Sequence, residues 1–328
     1  MKKGRSQRNK TLELNQSETR RLKSRLVELS GRASLEEILD RTVHQDLFEV
    51  LPWLPKHSVD LIFADPPYNL SKHFNGWQFR ERSLDEYTAW LRTWLPAMAE
   101  VLKPTGSIYI CGDWRSAGAV QRAAEENFEI RNRITWEREK GRGALKNWKN
   151  SSEDIWYCTN SESHTFDAES VKLKKRVIAP YRDPATGSAK DWKDEADGRF
   201  RLTHPSNLWT DLTVPYWSMQ ENTDHPTQKP EKLLAKVILA SSKEGDVVLD
   251  PFLGSGTTSV VAKKLGRHFI GVEIDESYCC LAERRLELAE RDGEIQGYVG
   301  GVFWERNTVS EQKKHGKEIG GRLAFAEQ

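Results

Sequence analysis

The sequence predicts an α/β protein in which a mostly parallel sheet carries helices on both faces. Three observations support this fold class. Short apolar runs, such as 59–64 and 247–249, have the length and composition of buried parallel strands. Segments with apolar residues at helical spacing, such as 84–102 and 229–242, alternate with these runs. The turns between them are short, which favours strands and helices that are neighbours in space.

The composition is that of a strongly charged chain with almost no net charge. Its 328 residues are 37% hydrophobic and 30% charged, and because the formal net charge is +1, a basic binding face has to come from local clusters. No apolar run approaches the roughly eighteen residues that cross a bilayer, and no apolar signal segment follows the first residues. The four cysteines lack the spacing of metal ligands. We therefore expect a cytoplasmic protein without a metal or a membrane contact.

The region before the alternation is predicted as a basic N-terminal arm, residues 1–40, that leads into a helix. Residues 1–32 are rich in Lys and Arg and almost free of aromatic residues, which indicates a flexible segment. Ser34 is a suitable N-cap and Glu37 follows three residues later, which is typical of a helix start.

Residues 41–290 are predicted as the main domain. The helix over 84–102 contains Pro96, which predicts a kink or a split because proline interrupts the helical hydrogen bonds. The charged, glycine-containing residues 291–328 are predicted as a loosely held tail. Further strands are predicted at 106–111, 130–136, 154–158 and 269–272, and further helices at 114–127, 257–265 and 278–289.

Residues 137–222 interrupt the alternation, because they are polar and only weakly periodic, and we interpret them as an insertion in the main domain. Around its start, segment 131–149 mixes Trp with Arg, Lys and Gly, which is typical of a surface that meets a charged backbone and the faces of bases. A run of charges is more often only a solvated face. The candidate nucleic-acid contacts are Arg138, Lys140, Arg142, Lys146, Trp148 and Lys149.

A glycine-rich loop at 250–258 follows the strand at 247–249 and leads into a helix. Gly254 and Gly256 bring bare backbone close to a ligand, and the helix start offers unpaired N–H groups. The phosphate-loop pattern GxxxxGK[ST] is absent, and the dinucleotide pattern GxGxxG lacks its third glycine. Glu273, at the end of the next strand, is suited to accept ribose hydroxyls. The loop predicts an adenosine site without a phosphate, and a plain structural turn is the alternative.

A second loop, Asp65-Pro-Pro-Tyr68, directly follows the strand at 59–64. Its two prolines remove two N–H donors, so the exposed groups are acceptors, namely the Asp65 carboxylate and the Pro66 carbonyl. Two acceptors that hold both hydrogens of a base amino group free the nitrogen lone pair to attack a methyl sulfonium. Tyr68 adds an aromatic face on which the base can stack. A merely proline-stiffened turn would require neither the acid nor the aromatic residue.

Two further stretches complete a resemblance to a known family. Residues 58–70 read Ser-Val-Asp-Leu-Ile-Phe-Ala-Asp-Pro-Pro-Tyr-Asn-Leu, and residues 225–230 read His-Pro-Thr-Gln-Lys-Pro. Together with the glycine-rich loop, they resemble the beta class of DNA amino-methyltransferases, in which the catalytic motif precedes the cofactor motif. The resemblance covers about residues 43–290. It implies a Rossmann-like sheet with an added antiparallel strand, S-adenosylmethionine as methyl donor and a target base flipped out of duplex DNA.

The resemblance also implies roles for individual residues. Asp65, Pro66, Pro67 and Tyr68 form the catalytic loop. An acid at position 65 is typical of members that modify adenine N6, whereas Ser is typical of those that modify cytosine N4. We therefore expect adenine, with cytosine N4 as the alternative. The candidate cofactor contacts are Asp46, Thr227, Lys229, Asp250, Phe252, Gly254, Ser255, Gly256, Thr257 and Glu273, of which Thr227 and Lys229 are expected at the methionine carboxylate.

One segment departs from the family pattern. Relatives often carry a His-Glu pair after the strand that here ends in Ile134-Thr-Trp136. In this chain Asn150-Ser-Ser-Glu153-Asp-Ile occupies the place, so we carry over no histidine role and assign none to Glu153.

Partners and alternatives complete the expectations. Duplex DNA is the expected substrate, read by residues 137–222, and the family implies a homodimer and a cognate restriction endonuclease. None of the four cysteines follows a proline, which argues against methylation of cytosine carbon-5. Three other classes stay open: an RNA or protein amino-methyltransferase, a nucleotide-dependent oxidoreductase and a non-catalytic DNA-binding relative.

Overall fold

The computed structural model describes residues 8–74, 77–138, 146, 148–178, 181–189, 191–195 and 198–315. Its helices are α1 (Gln16–Lys23), α2 (Leu35–Ile38), α3 (Leu47–Val50), α4 (Leu84–Leu91), α5 (Leu95–Val101), α6 (Ala117–Glu125), α7 (Glu231–Ser241), α8 (Thr257–Lys264) and α9 (Glu276–Ala289). Its strands are β1 (Arg41–His44), β2 (Val59–Ala64), β3 (Lys72–Phe74), β4 (Trp77–Phe79), β5 (Leu102–Gly112), β6 (Glu129–Glu137), β7 (Ser152–Thr159), β8 (Leu173–Arg176), β9 (Lys193–Glu195), β10 (Gly198–Thr203), β11 (Leu208–Trp209), β12 (Val247–Asp250), β13 (His268–Glu273), β14 (Tyr298–Val299) and β15 (Val302–Trp304). None of the described helices is long and apolar enough to span a membrane.

The central sheet has the strand order β1-β13-β12-β2-β5-β7-β6-β11 among the described residues. The pairs from β1 to β5 are parallel, whereas β7 runs antiparallel to both β5 and β6. This topology confirms the predicted mostly parallel α/β fold, and β7 is the added antiparallel strand. Because β2 and β12 pair directly, the loops at 65–68 and 250–258 lie side by side at the carboxyl edge of the sheet.

Helices cover both faces of the central sheet, as predicted. The neighbouring residues Leu61 and Ile62 of β2 point into opposite hydrophobic layers because side chains alternate along a strand. The layer that contains Ile62 packs against α5 and α6 through residues such as Met98 and Val120. The layer that contains Leu61 packs against α7 and α8 through residues such as Ile238. All five side chains are fully buried.

The predicted helix over 84–102 is divided in two, as Pro96 indicated. The first part, α4, ends at Leu91 and the second, α5, begins at Leu95. Pro96 therefore stands in the first turn of α5, where a backbone N–H has no intrahelical acceptor. The prediction is confirmed as a split.

The N-terminal arm packs against the main domain from residue 8 onward. Leu22 of α1 is completely buried, and Arg21 and Arg25 both form ion pairs with Glu287 of α9. The prediction of a flexible arm is therefore wrong for residues 16–25, because Leu22 is buried there and Arg21 and Arg25 are paired with α9. The predicted helix start at Ser34 is confirmed by the capping box of α2.

A second, smaller sheet has the strand order β14-β15-β8-β10-β9. Its strand β15 comes from the C-terminal region and runs parallel to β8. Phe303 and Trp304 of β15 are buried, and the Lys174 ammonium lies 4.5 Å from the centroid of the Trp304 ring. The prediction of a loosely held tail is therefore wrong for 298–304, because these aromatic residues complete the smaller sheet.

The predicted boundaries of the insertion, 137–222, are too wide. Strand β7 lies in the middle of the central sheet, and β11 pairs with β6 at its edge. Within that range, only the strands at 173–203 belong to the smaller sheet. The order of segments along the chain does not reveal this arrangement, because β7 returns between β5 and β6.

Candidate active site

A cavity of about 350 Å³ lies at the carboxyl edge of the central sheet, where the loops after β2 and β12 meet. The whole acceptor loop, Asp65 to Tyr68, lines one side of it, as do Phe252 and Gly254 from the glycine-rich loop. The position agrees with the general rule that ligands bind beyond the carboxyl ends of parallel strands. The two loops that the sequence singled out therefore share one cavity.

Asp65 combines an occupied oxygen with a free one. Its Oδ2 atom accepts a hydrogen bond from the Lys229 ammonium at 2.6 Å. Its Oδ1 atom is buried and has no hydrogen-bond partner among the described residues. Burial raises the pKa of Asp65, and the neighbouring Glu153 adds to the effect, while the Lys229 charge opposes both. A free acceptor of increased basicity is therefore present in the wall of the cavity.

Tyr68 is held through its hydroxyl group. The hydroxyl donates to Oε2 of Glu153 at 3.0 Å and accepts from the Lys229 ammonium at 3.2 Å. That ammonium lies 5.3 Å from the centroid of the Tyr68 ring. The Tyr87 hydroxyl, from α4, donates to the Pro67 carbonyl of the same loop at 3.0 Å. The loop is therefore fixed at two points, and the orientation of the aromatic ring is set before any base arrives.

Glu153 is a site residue to which the sequence assigned no role. Its buried carboxylate forms ion pairs with Arg138 and, at 3.5 Å, with Lys229. Burial alone would raise the pKa of Glu153, but Lys229 and Arg138 outweigh it and leave that pKa below its usual range. Two acidic residues, Glu153 and Asp154, directly before the apolar run Ile155 to Cys158 are the signal by which it could have been recognised.

Lys229 does not line the cavity, although it was predicted at the methionine carboxylate. Its ammonium lies between Asp65, Glu153 and the Tyr68 hydroxyl. Burial alone would lower the pKa of Lys229, but the two carboxylates raise it. Lys229 as a cofactor contact stays a prediction, and the structure places its ammonium against the acceptor loop and Glu153. The other residue predicted there, Thr227, does line the cavity.

The glycine-rich loop presents only part of its length to the cavity. Gly254 lines it and donates its backbone N–H to Glu273 at 2.8 Å. Ser255, Gly256 and Thr257, which were predicted as cofactor contacts, do not line it. They face α9, where the Arg285 guanidinium donates to the Ser255 carbonyl and to the Thr257 hydroxyl, both at 2.9 Å. These three residues are therefore placed to hold the loop against the helix.

Asp250 forms hydrogen bonds within the glycine-rich loop and the helix that follows it. Its carboxylate accepts the Thr258 hydroxyl at 2.5 Å and the Phe252 backbone N–H at 3.0 Å. Burial raises the pKa of Asp250 to about 7. It does not line the cavity, so the structure does not bring this predicted contact to the site. Across the described part of the chain, no three His, Cys, Asp or Glu side chains come together as a metal site.

The far side of the cavity is aromatic and acidic. Asp46 and Glu273, both predicted as cofactor contacts, line it together with Phe252. The sequence did not single out Phe48 or Trp90, whose rings lie 6.5 Å apart beside Phe252. Trp90 was missed because it stacks on Tyr87 and packs beside Trp94, so its position in the sequence is that of a core residue. Flat apolar surfaces beside acids suit a nucleoside, because the base can stack and the ribose hydroxyls can donate.

His225 borders the cavity as a neutral ring. Its imidazole packs edge-on against Tyr278 with centroids 4.4 Å apart, and a Cβ on Gly254 would lie only 2.9 Å from its Nε2 atom. Burial lowers the pKa of His225 to about 4, and the nearby cations Lys229 and Arg285 act in the same direction. His225 is therefore a shape-determining wall residue at neutral pH.

The candidate DNA contacts fall into three groups. Lys146, Trp148 and Lys149 are exposed, and Trp148 is 97% exposed. Arg138 is partly buried, because its guanidinium is paired with Glu153. The remaining two predicted contacts, Lys140 and Arg142, lie outside the described residues.

Comparison with known proteins adds to this geometry. Residues 59–284 match the model of the N6/N4 methyltransferase family, described as DNA methylase. The chain is 36% identical over 254 residues to the DNA adenine methyltransferase YhdJ of Escherichia coli K12, covering 75% of this chain and 82% of that protein. It is also 36% identical over 260 residues to the type II methyltransferase M2.DpnII of Streptococcus pneumoniae, covering 75% and 88%.

Two solved structures share the fold. The PvuII DNA methyltransferase, which is cytosine-N4-specific, superposes with a TM-score of 0.53 at 18% identity, covering 76% of this chain and 91% of that one. A putative DNA modification methylase of Thermus thermophilus, complexed with S-adenosyl-L-methionine, gives a TM-score of 0.51 at 20% identity, covering 81% and 98%. At these identities the likeness concerns the fold alone.

Proposed function

The chain belongs to the N6/N4 DNA methylase family, and from this premise we propose that it methylates the N6 atom of adenine in duplex DNA. The methyl donor is S-adenosylmethionine. The observation that carries the proposal is the buried Oδ1 atom of Asp65, which has no partner among the described residues and lies in the wall of the cavity shared by both loops. The relative YhdJ, which is named a DNA adenine methyltransferase, supports adenine over cytosine N4.

The acceptor loop supplies the groups that an exocyclic amine requires. Asp65 Oδ1 accepts one amino hydrogen and the Pro66 carbonyl accepts the other. With both hydrogens held, the nitrogen is drawn toward tetrahedral geometry and its lone pair leaves the aromatic ring. Tyr68, fixed by Glu153, provides the face on which the base stacks. These residues together orient the nitrogen and raise its nucleophilicity.

The target base has to leave the duplex to reach these acceptors. Only 17% of the Asp65 side chain is exposed, and its free oxygen is buried. A base that is stacked and paired in B-form DNA cannot place its amino group at such a depth, so we propose that the adenine is flipped into the site. The exposed Lys146, Trp148 and Lys149 are proposed as contacts to the surrounding DNA.

The cavity fits the methyl donor. Its volume of about 350 Å³ lies within the range of small-molecule sites, and the rings of Phe48, Trp90 and Phe252 offer stacking surfaces for an adenine. Asp46 and Glu273 are acceptors for ribose hydroxyls or for an ammonium group. When bound, S-adenosylmethionine supplies an electrophilic methyl group on a sulfonium.

Asp65 is also suited to receive the proton that the reaction releases. When the amino nitrogen forms a bond to the methyl carbon, the electron pair of the broken S–C bond stays on sulfur. The methylated nitrogen then carries one hydrogen too many for a neutral amine. The raised pKa of Asp65 makes its carboxylate a better base than an exposed aspartate, and its Oδ1 atom already holds that hydrogen. The proton then passes from Asp65 to solvent after the product leaves.

Transfer from methyl-labelled S-adenosylmethionine to methylation-deficient genomic DNA tests the proposal. We expect label in DNA and, after digestion to nucleosides, label in N6-methyladenine. An unlabelled DNA would contradict DNA methylation, and label in N4-methylcytosine would contradict only the choice of base. Total RNA in a parallel reaction tests the RNA alternative, for which we expect no label.

Three further expectations remain proposals. We propose that the protein forms a homodimer, acts beside a restriction endonuclease of the same specificity and resides in the cytoplasm. Light scattering of the purified full chain measures the oligomeric state directly. Cleavage of unmodified DNA, but not of DNA modified by this protein, by a purified endonuclease would identify the partner.

A further inference from the structure

The reversed direction of β7 brings an acid to the catalytic edge of the sheet. Asp154 of β7 pairs with Gly112, the last residue of β5, so the start of β7 lies where its parallel neighbours end. Glu153 precedes Asp154 and reaches the acceptor loop from this position. Parallel strands would bring their carboxyl ends to this edge, whereas the antiparallel strand brings its first residues.

The Glu153 carboxylate is buried among three donors. Its Oε2 atom accepts the Tyr68 hydroxyl at 3.0 Å and lies 3.5 Å from the Lys229 ammonium. Its Oε1 atom is paired with Arg138. A buried carboxylate is tolerated only when it is paired and hydrogen-bonded, and here each partner belongs to a different segment of the chain. Glu153 therefore links the acceptor loop, the segment before α7 and the end of β6.

We propose that Glu153 is a positioning residue for methyl transfer, which fixes the stacking ring of Tyr68 through its hydroxyl and shares the charge of Lys229 with Asp65. The inference rests on the proposed function. Without Glu153, the Tyr68 hydroxyl would lose the carboxylate to which it donates, so the orientation of its ring would be less well fixed. The Lys229 ammonium would be attracted by Asp65 alone, and the free Oδ1 atom that receives the amino hydrogen would become a weaker acceptor.

The test compares Glu153→Gln with wild type and with the matched control Glu129→Gln. Glu129 begins β6, is exposed and forms a surface ion pair with Arg131 at 2.8 Å, so its replacement removes the same charge from the same strand pair. We expect Glu153→Gln to lower kcat on methylation-deficient DNA by roughly 10- to 100-fold, the usual effect of losing a hydrogen bond to a charged group. The KM for S-adenosylmethionine should not change, because Glu153 does not line the cavity. Glu129→Gln should match wild type.

The pH profile separates positioning from a merely structural role. Asp65 has to be ionised to accept hydrogens, so kcat falls as pH drops through its pKa. Glu153 raises that pKa, whereas Lys229 and the Tyr68 hydroxyl lower it. The acid limb of kcat should therefore move to lower pH in Glu153→Gln and should not move downward in Tyr68→Phe, which keeps the ring. The other ionisable groups that face Asp65 are Cys111 of β5, Tyr87 of α4 and Asp250 of β12.

The outcomes distinguish this inference from the proposed function. If wild type transfers no label to DNA, the proposed function fails. If wild type is active and Glu153→Gln keeps its kcat and its acid limb, the inference is overturned while the function stands. Weaker S-adenosylmethionine binding with an unmoved acid limb would mean that Glu153 serves only folding, which also overturns it. Should Glu153→Gln not fold, Glu153→Asp keeps the charge but shortens the reach to Tyr68, and an unchanged kcat there would equally refute the positioning role.

Discussion

Two Asp-Pro turns of this protein lie at equivalent positions on the carboxyl edge of the central sheet, but their carboxylates have different hydrogen-bond partners. Asp65-Pro66 follows β2, Asp250-Pro251 begins at the last residue of β12, and the two strands are paired neighbours. The Asp250 carboxylate is engaged by donors from its own loop, whereas Asp65 keeps one oxygen free of described donors and binds a distant lysine with the other. The comparison teaches that the surrounding donors determine what an aspartate at a strand end does.

The residues after each aspartate explain the difference. Asp250 is followed by a loop in which the Phe252 backbone N–H and the Thr258 hydroxyl both donate to its carboxylate. Asp65 is followed by two prolines, which have no backbone N–H to offer. The loop after Asp250 therefore supplies hydrogen-bond donors to its own carboxylate and has a structural role. The loop after Asp65 has more acceptors than donors and is therefore suited to bind a donor from a substrate.

Replacing each aspartate by alanine gives the largest expected contrast. Asp65→Ala should lower methyl transfer by about 10²- to 10³-fold or more, because it removes an acceptor that acts on the reacting nitrogen. Its affinity for S-adenosylmethionine, measured by calorimetry, should stay within a few-fold of wild type. Asp250→Ala should instead lower thermal stability and cofactor affinity together, because the loop loses its internal acceptor. A loss of cofactor binding in Asp65→Ala with full binding in Asp250→Ala would reverse the assignment.

Two glycines of the glycine-rich loop, Gly254 and Gly256, allow a second test with smaller expected effects. Gly256 has φ +81° and a Cβ there would lie 2.5 Å from the Ala282 Cβ atom. Gly256→Ala should therefore destabilise the fold by roughly 2–5 kcal/mol, from the left-handed backbone and the overpacking against α9. Gly254, at φ +54°, carries the same kind of backbone strain, but its Cβ would crowd the His225 side chain in the cavity wall and not a helix backbone. Gly254→Ala should therefore lose less stability than Gly256→Ala and should also weaken S-adenosylmethionine binding. Denaturant unfolding and calorimetry measure the two effects, and equal losses of stability would contradict the division.

The sequence predicted the sheet, its helices and both loops because each depends on local signals. Alternating apolar runs indicate strands and helices, and Asp65 to Tyr68 and 250–258 each carry their chemistry within a few residues. Their adjacency also followed, since the carboxyl ends of parallel strands share one edge. Membership of the family was predicted from the same motifs and is confirmed.

The contacts that the sequence did not reveal join residues that are distant in the chain. Lys229 lies 164 positions from Asp65, and nothing near it in sequence indicates that it binds that carboxylate. The proposed role of Glu153 depends on β7 running antiparallel, which brings the start of this strand to the edge where its parallel neighbours end. The ion pairs that fix the N-terminal arm likewise require α9. The place of Phe303 in the smaller sheet depends on β8, from a segment more than a hundred residues earlier.

The smallest expected effect isolates the hydrogen bond that satisfies Asp250. Burial raises the folded-state pKa of Asp250 from 3.8 to about 7. Between these values the folded state holds a proton that the unfolded state has lost, so this group's contribution to stability falls as pH rises through that window and is constant above it. The Thr258 hydroxyl donates to the ionised form and limits the rise in pKa.

Thr258→Val removes this donor with little change of volume, so the pKa of Asp250 should rise further and the loss of stability should continue above pH 7. The variant should unfold in denaturant with almost the wild-type free energy at pH 5, where Asp250 is protonated in both folded proteins. At pH 8 it should be less stable by about 1–2 kcal/mol, the cost of a missing hydrogen bond to a charged group. An equal difference at both pH values would mean that Asp250 is ionised throughout, which would contradict the raised pKa of the buried carboxylate.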